Sequence, residues 1–403
     1  MLFRSGMLSI AFWIVFIGGL RMTVVPPEDC GTADVDTLQS SAIAAAQWME
    51  RAQNPDGTFA YEYNAETDTL SPEYNEVRHA ALVMALYEAA GRLDDPTALQ
   101  VADQGLKWEQ DHLARKHDWA LLTTDATGGS TGSNALMLVG LTERRSATGD
   151  KQYDDLMHEV ARLLTAVLRD DGSFSPGWDL AADEMAPGTS LYYQGESTWA
   201  LTLMANAFPG EGWDTAARRA MEYIATRRDD DENVKYPPWA DQWAGYSLGE
   251  IARWGGLTDA EIDYAHRLAA RFGLLVRTEA QREGSWYGSL LRGRDSRGAG
   301  AGTWIEGLAG IWRASKYDNR LDDIKQSIVE RTTCIAGIMA KRQQTGEQAE
   351  KYAEPSLVEG AWFRDGVTRM DDQQHTFSGL IYTIDILQNN PIRESLLQAG
   401  LSP

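Results

Sequence analysis

The 403-residue chain carries 59 acidic against 37 basic residues, a formal charge of −22 at pH 7. Such a surface repels nucleic acid and anionic lipid, so a neutral sugar, or an anion met by a local basic pocket, suits it better. Apolar residues at 43% and charged residues at 24% are ordinary for a globular protein with a sizeable core, which excludes bulk disorder.

The chain starts with Arg4 among its first residues, runs without a charge from Met7 to Leu20, and continues through Arg21 to Pro26-Pro27-Glu28-Asp29. A basic start before a short apolar run suits a signal peptide or a minimal signal anchor; a full span needs about 20 apolar residues. Residues 1–36 are read as that segment plus a linker, with small residues for cleavage at Gly31-Thr32-Ala33. Export to the periplasm or the extracellular space is expected, with the membrane touched only through this segment. As a buried N-terminal helix it fits poorly, since Phe12, Trp13, Ile14, Val15 and Phe16 leave no polar face. Two cysteines supply neither a disulfide framework nor a cysteine-rich zinc module. Cys334, between Thr333 and Ile335, reads most simply as a buried thiol, with a bridge to Cys30 as the alternative.

A glycine followed by a small residue and an aromatic recurs four times: Asp56-Gly57-Thr58-Phe59, Asp171-Gly172-Ser173-Phe174, Glu283-Gly284-Ser285-Trp286 and Glu359-Gly360-Ala361-Trp362. The first two intervals each have room for two helical hairpins, and degenerate units through Trp108 to Asn134 and Tyr223 to Trp254 fill them. Along the chain two kinds of helix alternate. Ser41 to Gln53, Ala98 to His112, Tyr153 to Arg169, Asp214 to Arg228, Ala260 to Val276 and Leu321 to Lys341 carry charge on one face and read as outer helices. Val77 to Ala90, Asn134 to Thr142, Ser197 to Phe208, Trp243 to Trp254, Trp304 to Ala314 and Phe377 to Leu387 are small and apolar, as crowding at a ring's centre requires. The pattern predicts an all-α chain with one (α/α)6 toroid of six hairpins over residues 37–390 and a tail at 391–403. Inner-to-outer links are short and turn-like, whereas outer-to-inner links are long and leave one end of the ring, where the site is placed.

The run Ala46-Gln47-Trp48-Met49-Glu50-Arg51-Ala52-Gln53-Asn54-Pro55-Asp56-Gly57-Thr58-Phe59 resembles the QW repeats of squalene-cyclase-like α/α toroids. The Asp-x-Asp-Asp acid of class II terpene cyclases is missing; Asp229-Asp230-Asp231-Glu232 is the nearest string and lies at a charged helix end. The cysteine and histidine zinc ligands of lanthionine cyclases and prenyltransferase β subunits are missing too. What remains resembles the six-hairpin glycosidases, polysaccharide lyases and sugar epimerases. Tyr192-Tyr193-Gln194-Gly195-Glu196 before Ser197-Thr198-Trp199, and Asp241-Gln242-Trp243-Ala244, are similar in character to inner-helix starts in that group. The resemblance implies carbohydrate chemistry in a central cavity and needs no metal or cofactor.

The mouths of the inner helices supply the candidates, because their N-termini converge on the cavity. Glu196, Asp241 and Glu306 sit at three stations of the ring and are the carboxylates for acid and base, as glycosidases require. Capping explains any one of them equally well. His79 is the proton-transfer candidate, with Arg78 gripping a carboxylate or sugar hydroxyl and Glu76 beside it. Tyr193, Trp243, Trp286 and Trp304 offer faces for stacking on sugar rings, as do Trp199, Trp239, Tyr287 and Trp362, although aromatics in a toroid also pack as core. Asp371-Asp372-Gln373-Gln374-His375 opens the last inner helix: an acidic pair with a histidine suits a divalent cation or a base, with His375 as a substrate contact, but capping and a solvated turn account for the run more simply. Arg292 and Arg294 form a basic island with Arg297 in a glycine-rich loop, suited to an anionic substrate. His112 and His117 share no helical face and suggest no metal site.

The expected function is a carbohydrate-active enzyme, a glycoside hydrolase or polysaccharide lyase, acting on an oligo- or polysaccharide. The alternatives are a sugar epimerase using His79 or His375, which gives an isomer without cleavage, and an inert glycan-binding or assembly toroid.

Overall fold

The computed structural model describes residues 2–234 and 241–388. The expected tail at 391–403 and Trp239 lie outside the described residues. The helices in chain order are α1 (Leu2–Thr23), α2 (Val35–Arg51), α3 (Glu76–Arg92), α4 (Pro96–Asp111), α5 (Thr131–Thr148), α6 (Asp154–Ala166), α7 (Tyr193–Ala207) and α8 (Trp213–Thr226), then α9 (Arg228–Asp231), α10 (Gln242–Ala252), α11 (Asp259–Glu283), α12 (Gly288–Arg292), α13 (Gly298–Ala314), α14 (Asp322–Arg342), α15 (Gly346–Ala349) and α16 (Met370–Leu387).

The six apolar helices α3, α5, α7, α10, α13 and α16 each pack against the next, and α16 returns to α3, closing the inner ring. Outside them stand α2, α4, α6, α8, α11 and α14. The molecule is therefore the (α/α)6 toroid the sequence predicts, and each of the twelve expected helices overlaps one of these. Glycine lets the inner helices approach. A Cβ on Gly310 would strike the backbone of Gly245 in α10, and one on Gly302 would strike that of His375 in α16. Such contacts are closed to any residue with a side chain. Helix starts are capped by the residues that favour this: Asn75 accepts from Arg78 N, Asp95 from Thr97 N, Ser130 from Ser133 N, and Thr258 forms a capping box with Glu261 on α11.

Three of the four glycine-aromatic repeats make one turn. Gly57, Gly172 and Gly360 have φ of +92°, +90° and +82°, and each would drive a Cβ into a carbonyl of a neighbouring outer helix, at Gln104, Arg219 and Ala44. Asp56 and Asp171 accept from Thr58 N and Ser173 N, holding the turn. The fourth, at Gly284, is not equivalent: its φ is −71° and it caps α11 against Pro27.

Inner-to-outer links are short, at 93–95, 149–153, 208–212, 253–258 and 315–321. Outer-to-inner links are long, at 52–75, 112–130, 167–192, 284–297 and 343–369, and carry the strands: β1 (Glu62–Asn64), β2 (Thr69–Leu70), β3 (Leu113–Lys116), β4 (Trp119–Leu122), β5 (Gly128–Ser130), β6 (Gly177–Asp179), β7 (Glu184–Met185) and β8 (Val367–Arg369). The antiparallel sheet β2-β1-β8 joins the first long link to the last, and β5-β6-β7 joins the second to the third.

Cys30 and Cys334 are bonded, so Cys334 is not the free buried thiol that its apolar surroundings suggest. The bridge fastens residues 24–34, which lie along α11 and α14: Asp29 N donates to Ala280 O, and Glu28 pairs with Arg277 and Arg331. On α1, Phe12, Trp13, Ile14 and Val15 are exposed. Among the described residues, no helix is long and apolar enough to cross a membrane.

Candidate active site

At the long-link end a cavity of about 640 Å³ opens between the N-terminal turns of the inner helices, a size that suits a small organic ligand. Its wall includes Arg78 of α3, Tyr193 and Glu196 of α7, Gln242 and Trp243 of α10, Thr303 and Trp304 of α13, and Asp371, Gln374 and His375 of α16, with Arg369 just before. A second cleft of about 510 Å³ adjoins it, sharing Asn75, Val77 and Tyr193 and lined also by Glu76, Trp178 and Asp179.

Glu196 reaches the cavity from the first turn of α7. Its Oε2 is buried and meets no hydrogen-bond partner. Burial, and secondly the negative charge of Asp241, push its carboxyl up to about 8, so it holds its proton at neutral pH. Room for it comes from Gly132, where a Cβ would stand 2.5 Å from Glu196 Oε2 and 2.5 Å from Tyr193 Cδ1.

On the opposite side of the ring, three stations away, α16 brings Asp371 and, one turn deeper, His375. Asp371 pairs with Arg78 at 3.3 Å and Arg369 at 3.1 Å. His375 Nδ1 lies 2.8 Å from Glu306 Oε2. Burial alone would lower this imidazole, but the Glu306 carboxylate outweighs it and holds His375 above its usual value. Glu306, fully buried, acts behind His375 and does not itself face the cavity.

Aromatic faces complete the wall. Trp243 stacks on Trp199 with centroids 5.4 Å apart and lies 5.5 Å from the His375 ring. Trp304 and Tyr193 line other sides. Stacking surfaces beside a few fixed polar groups are what a sugar ring requires.

Several expected residues stand elsewhere. Asp241 is wholly buried, paired with Arg228 and capping α10 through Ala244 N at 3.0 Å; its capping role accounts for it. His79 turns away from the cavity toward α4, where its Nδ1 meets Tyr74 OH at 2.6 Å and its Nε2 meets Gly105 O at 3.1 Å. Burial lowers it to about 4, so it stays neutral. Glu76 lies in the adjoining cleft, accepting from Thr124 N at 3.2 Å and Ser133 Oγ at 3.3 Å. Arg292 is spent on Gln281 Oε1 and Thr23 O, and Arg294 pairs with Asp365; neither lines the cavity. Trp286 stands 89% exposed outside it, and Trp362 is core, donating to Met339 O.

Gln242, Gln374 and Arg369 are wall residues that the sequence reading did not single out. The signal was their position: Gln242 is the first residue of α10, and Gln374 lies beside His375 on a helix that starts seven residues before its apolar run.

The fold recurs in solved structures. An unsaturated glucuronyl hydrolase specific for heparin is 11% identical, with a TM-score of 0.59 over 88% of this chain and 99% of that one. An α-1,6-mannanase of Salegentibacter sp. HEL1_6, in complex with α-1,6-mannotriose, is 11% identical with a TM-score of 0.61 over 86% and 99%. A cellobiose 2-epimerase from Spirochaeta thermophila is 12% identical with a TM-score of 0.58 over 88% and 98%. No family model matches the chain, and no curated protein does. The likeness is one of fold, the six-hairpin glycosidase-like α/α toroid.

Proposed function

We propose that the chain is an exported carbohydrate-active enzyme that hydrolyses a glycosidic bond in the cavity. The observation that carries this reading is the buried carboxyl of Glu196, its Oε2 without a hydrogen-bond partner, in the wall of the cavity that Asp371 also lines. Glu196 donates its proton to the leaving oxygen as the glycosidic C–O bond breaks. In an inverting route water adds to the anomeric carbon and its proton passes to Asp371; in a retaining route Asp371 adds first, and water then displaces it while its proton passes to the Glu196 carboxylate. Trp243, Trp304 and Tyr193 hold the ring, and Gln242, Gln374 and Arg78 take its hydroxyls. The carbohydrate-processing names of the fold's neighbours support this substrate class, and the Cys30–Cys334 bond supports an oxidising compartment outside the cytoplasm.

A panel of neutral and uronate-containing oligosaccharides, with products resolved by mass spectrometry and NMR, tests the reading. Cleavage by the wild type, reduced about 10²- to 10⁴-fold in Glu196→Gln, is expected. Full cleavage by Glu196→Gln would sink it. The second reading, a sugar epimerase, is favoured by the Glu306–His375 couple, which leaves Nε2 of the imidazole for the cavity. It predicts an isomer of unchanged mass, formed by the wild type and lost in His375→Gln.

A further inference from the structure

On α1, Phe12, Ile14, Val15 and Ile17 are 59–75% exposed and point in different directions around the helix. A helix apolar on all sides needs an apolar surrounding. Its 14 uncharged residues, Met7 to Leu20, rise about 21 Å at 1.5 Å each, short of the roughly 30 Å hydrocarbon core. As an anchor it is shallow and needs a second contact.

The strap of residues 24–34 fixes where α1 leaves the ring. Cys30 is bonded to Cys334, Lys341 pairs with Asp29, and Gly284 at the end of α11 lies against Pro27. The outer helices α11 and α14 run toward the cavity mouth, and Thr23, the last residue of α1, accepts from Arg292 Nη2 of α12 at 3.0 Å. Thus α1 emerges at the rim of the mouth, beside the α12 loop. That loop presents Trp286 at 89%, Leu290 at 81% and Leu291 at 49% exposure. An apolar tip containing tryptophan, with arginine at its base, has the composition of a membrane–water interface contact.

We propose that Trp286, Leu290 and Leu291 form a second, shallow bilayer contact that, with α1, seats the toroid on a membrane with its mouth toward the lipid surface. Because the body is strongly acidic, a zwitterionic surface accepts it better than an anionic one. Resting on the carbohydrate reading, the substrate class narrows to saccharides carried at a membrane surface.

The full chain, reconstituted into phosphatidylcholine vesicles with brominated acyl chains, tests the contact without any saccharide. In a Trp13→Phe background, which silences the tryptophan of α1, a lipid-quenched emission is expected. Adding Trp286→Phe removes it, as does adding Leu290→Glu with Leu291→Glu. No quenching in Trp13→Phe, or quenching unchanged by Trp286→Phe, overturns the proposal. Loss of the glycosidase reading would leave this result untouched, and failure here would leave that reading intact.

Discussion

At the scale of single residues the site depends on two environments that set protonation in different ways. Burial and, secondly, the Asp241 charge push the Glu196 carboxyl up to about 8, while at His375 the Glu306 carboxylate outweighs burial and holds the imidazole above its usual value. Removing that support by Glu306→Gln is expected to lower the His375 pKa, read by NMR titration of the imidazole; an unchanged pKa would detach the pair. Glu109 is the parallel case away from the cavity, a buried carboxyl pushed up to about 8 by desolvation. The folded state then binds a proton that the unfolded chain has lost above about 4.5. Its stabilising contribution is complete below that pH and is lost as pH rises to about 8. Denaturant titrations from pH 5 to 8 should therefore shift progressively in favour of Glu109→Gln over the wild type; a pH-independent difference would contradict the shift. Not all of this was readable in the sequence. Spacing put Arg78 and His79 together at a helix mouth, but one residue is about 100° of helix, and that rotation sends His79 to α4 while Arg78 stays at the cavity. Asp241 had the right station and residue type, but a sequence does not show that Arg228 folds back to neutralise it.

At the scale of elements the inner ring is set by small residues. Gly310→Ala should cost about 1–3 kcal/mol, because its Cβ meets the Gly245 backbone and α10 must move. Gly273, in α11, has open space at the same atom, so Gly273→Ala should stabilise by about 0.5–1 kcal/mol. The opposite signs, measured as denaturant midpoints, test the packing directly. Asp241→Ala should cost about 3–5 kcal/mol, since it removes the buried carboxylate on Arg228 Nη1 together with the α10 cap. The alternation of charged and apolar helices was legible because each inner helix is surrounded by protein and each outer one has a wet face. The start of α13 was not: Gly298-Ala299-Gly300 lacks a hydrophobic pattern, yet it forms the first turn of the helix, with Ala299 and Gly300 at the cavity wall.

At the scale of the whole molecule the long links and the cavity of about 640 Å³ share one end of the ring. The inequality of the links was legible in the sequence alone. Closure through the sheet β2-β1-β8 was hidden, since it joins segments about 300 residues apart, and the covalent strap was legible only as the alternative to a free Cys334. Replacing Cys30 and Cys334 together by Ala should cost about 2–5 kcal/mol, seen as a lower melting temperature that reductant no longer changes. A cut at Gly31–Ala33 would leave the N-terminal segment attached until the bridge is reduced. The central claim is that a protonated Glu196 drives chemistry in the cavity. It is tested most directly by kcat/KM against pH for the wild type and Glu196→Gln on one cleaved oligosaccharide. The wild type should lose activity about tenfold per pH unit above about 8, and Glu196→Gln should be slower and lack that limb. A wild-type rate with the same alkaline limb in Glu196→Gln would contradict the account.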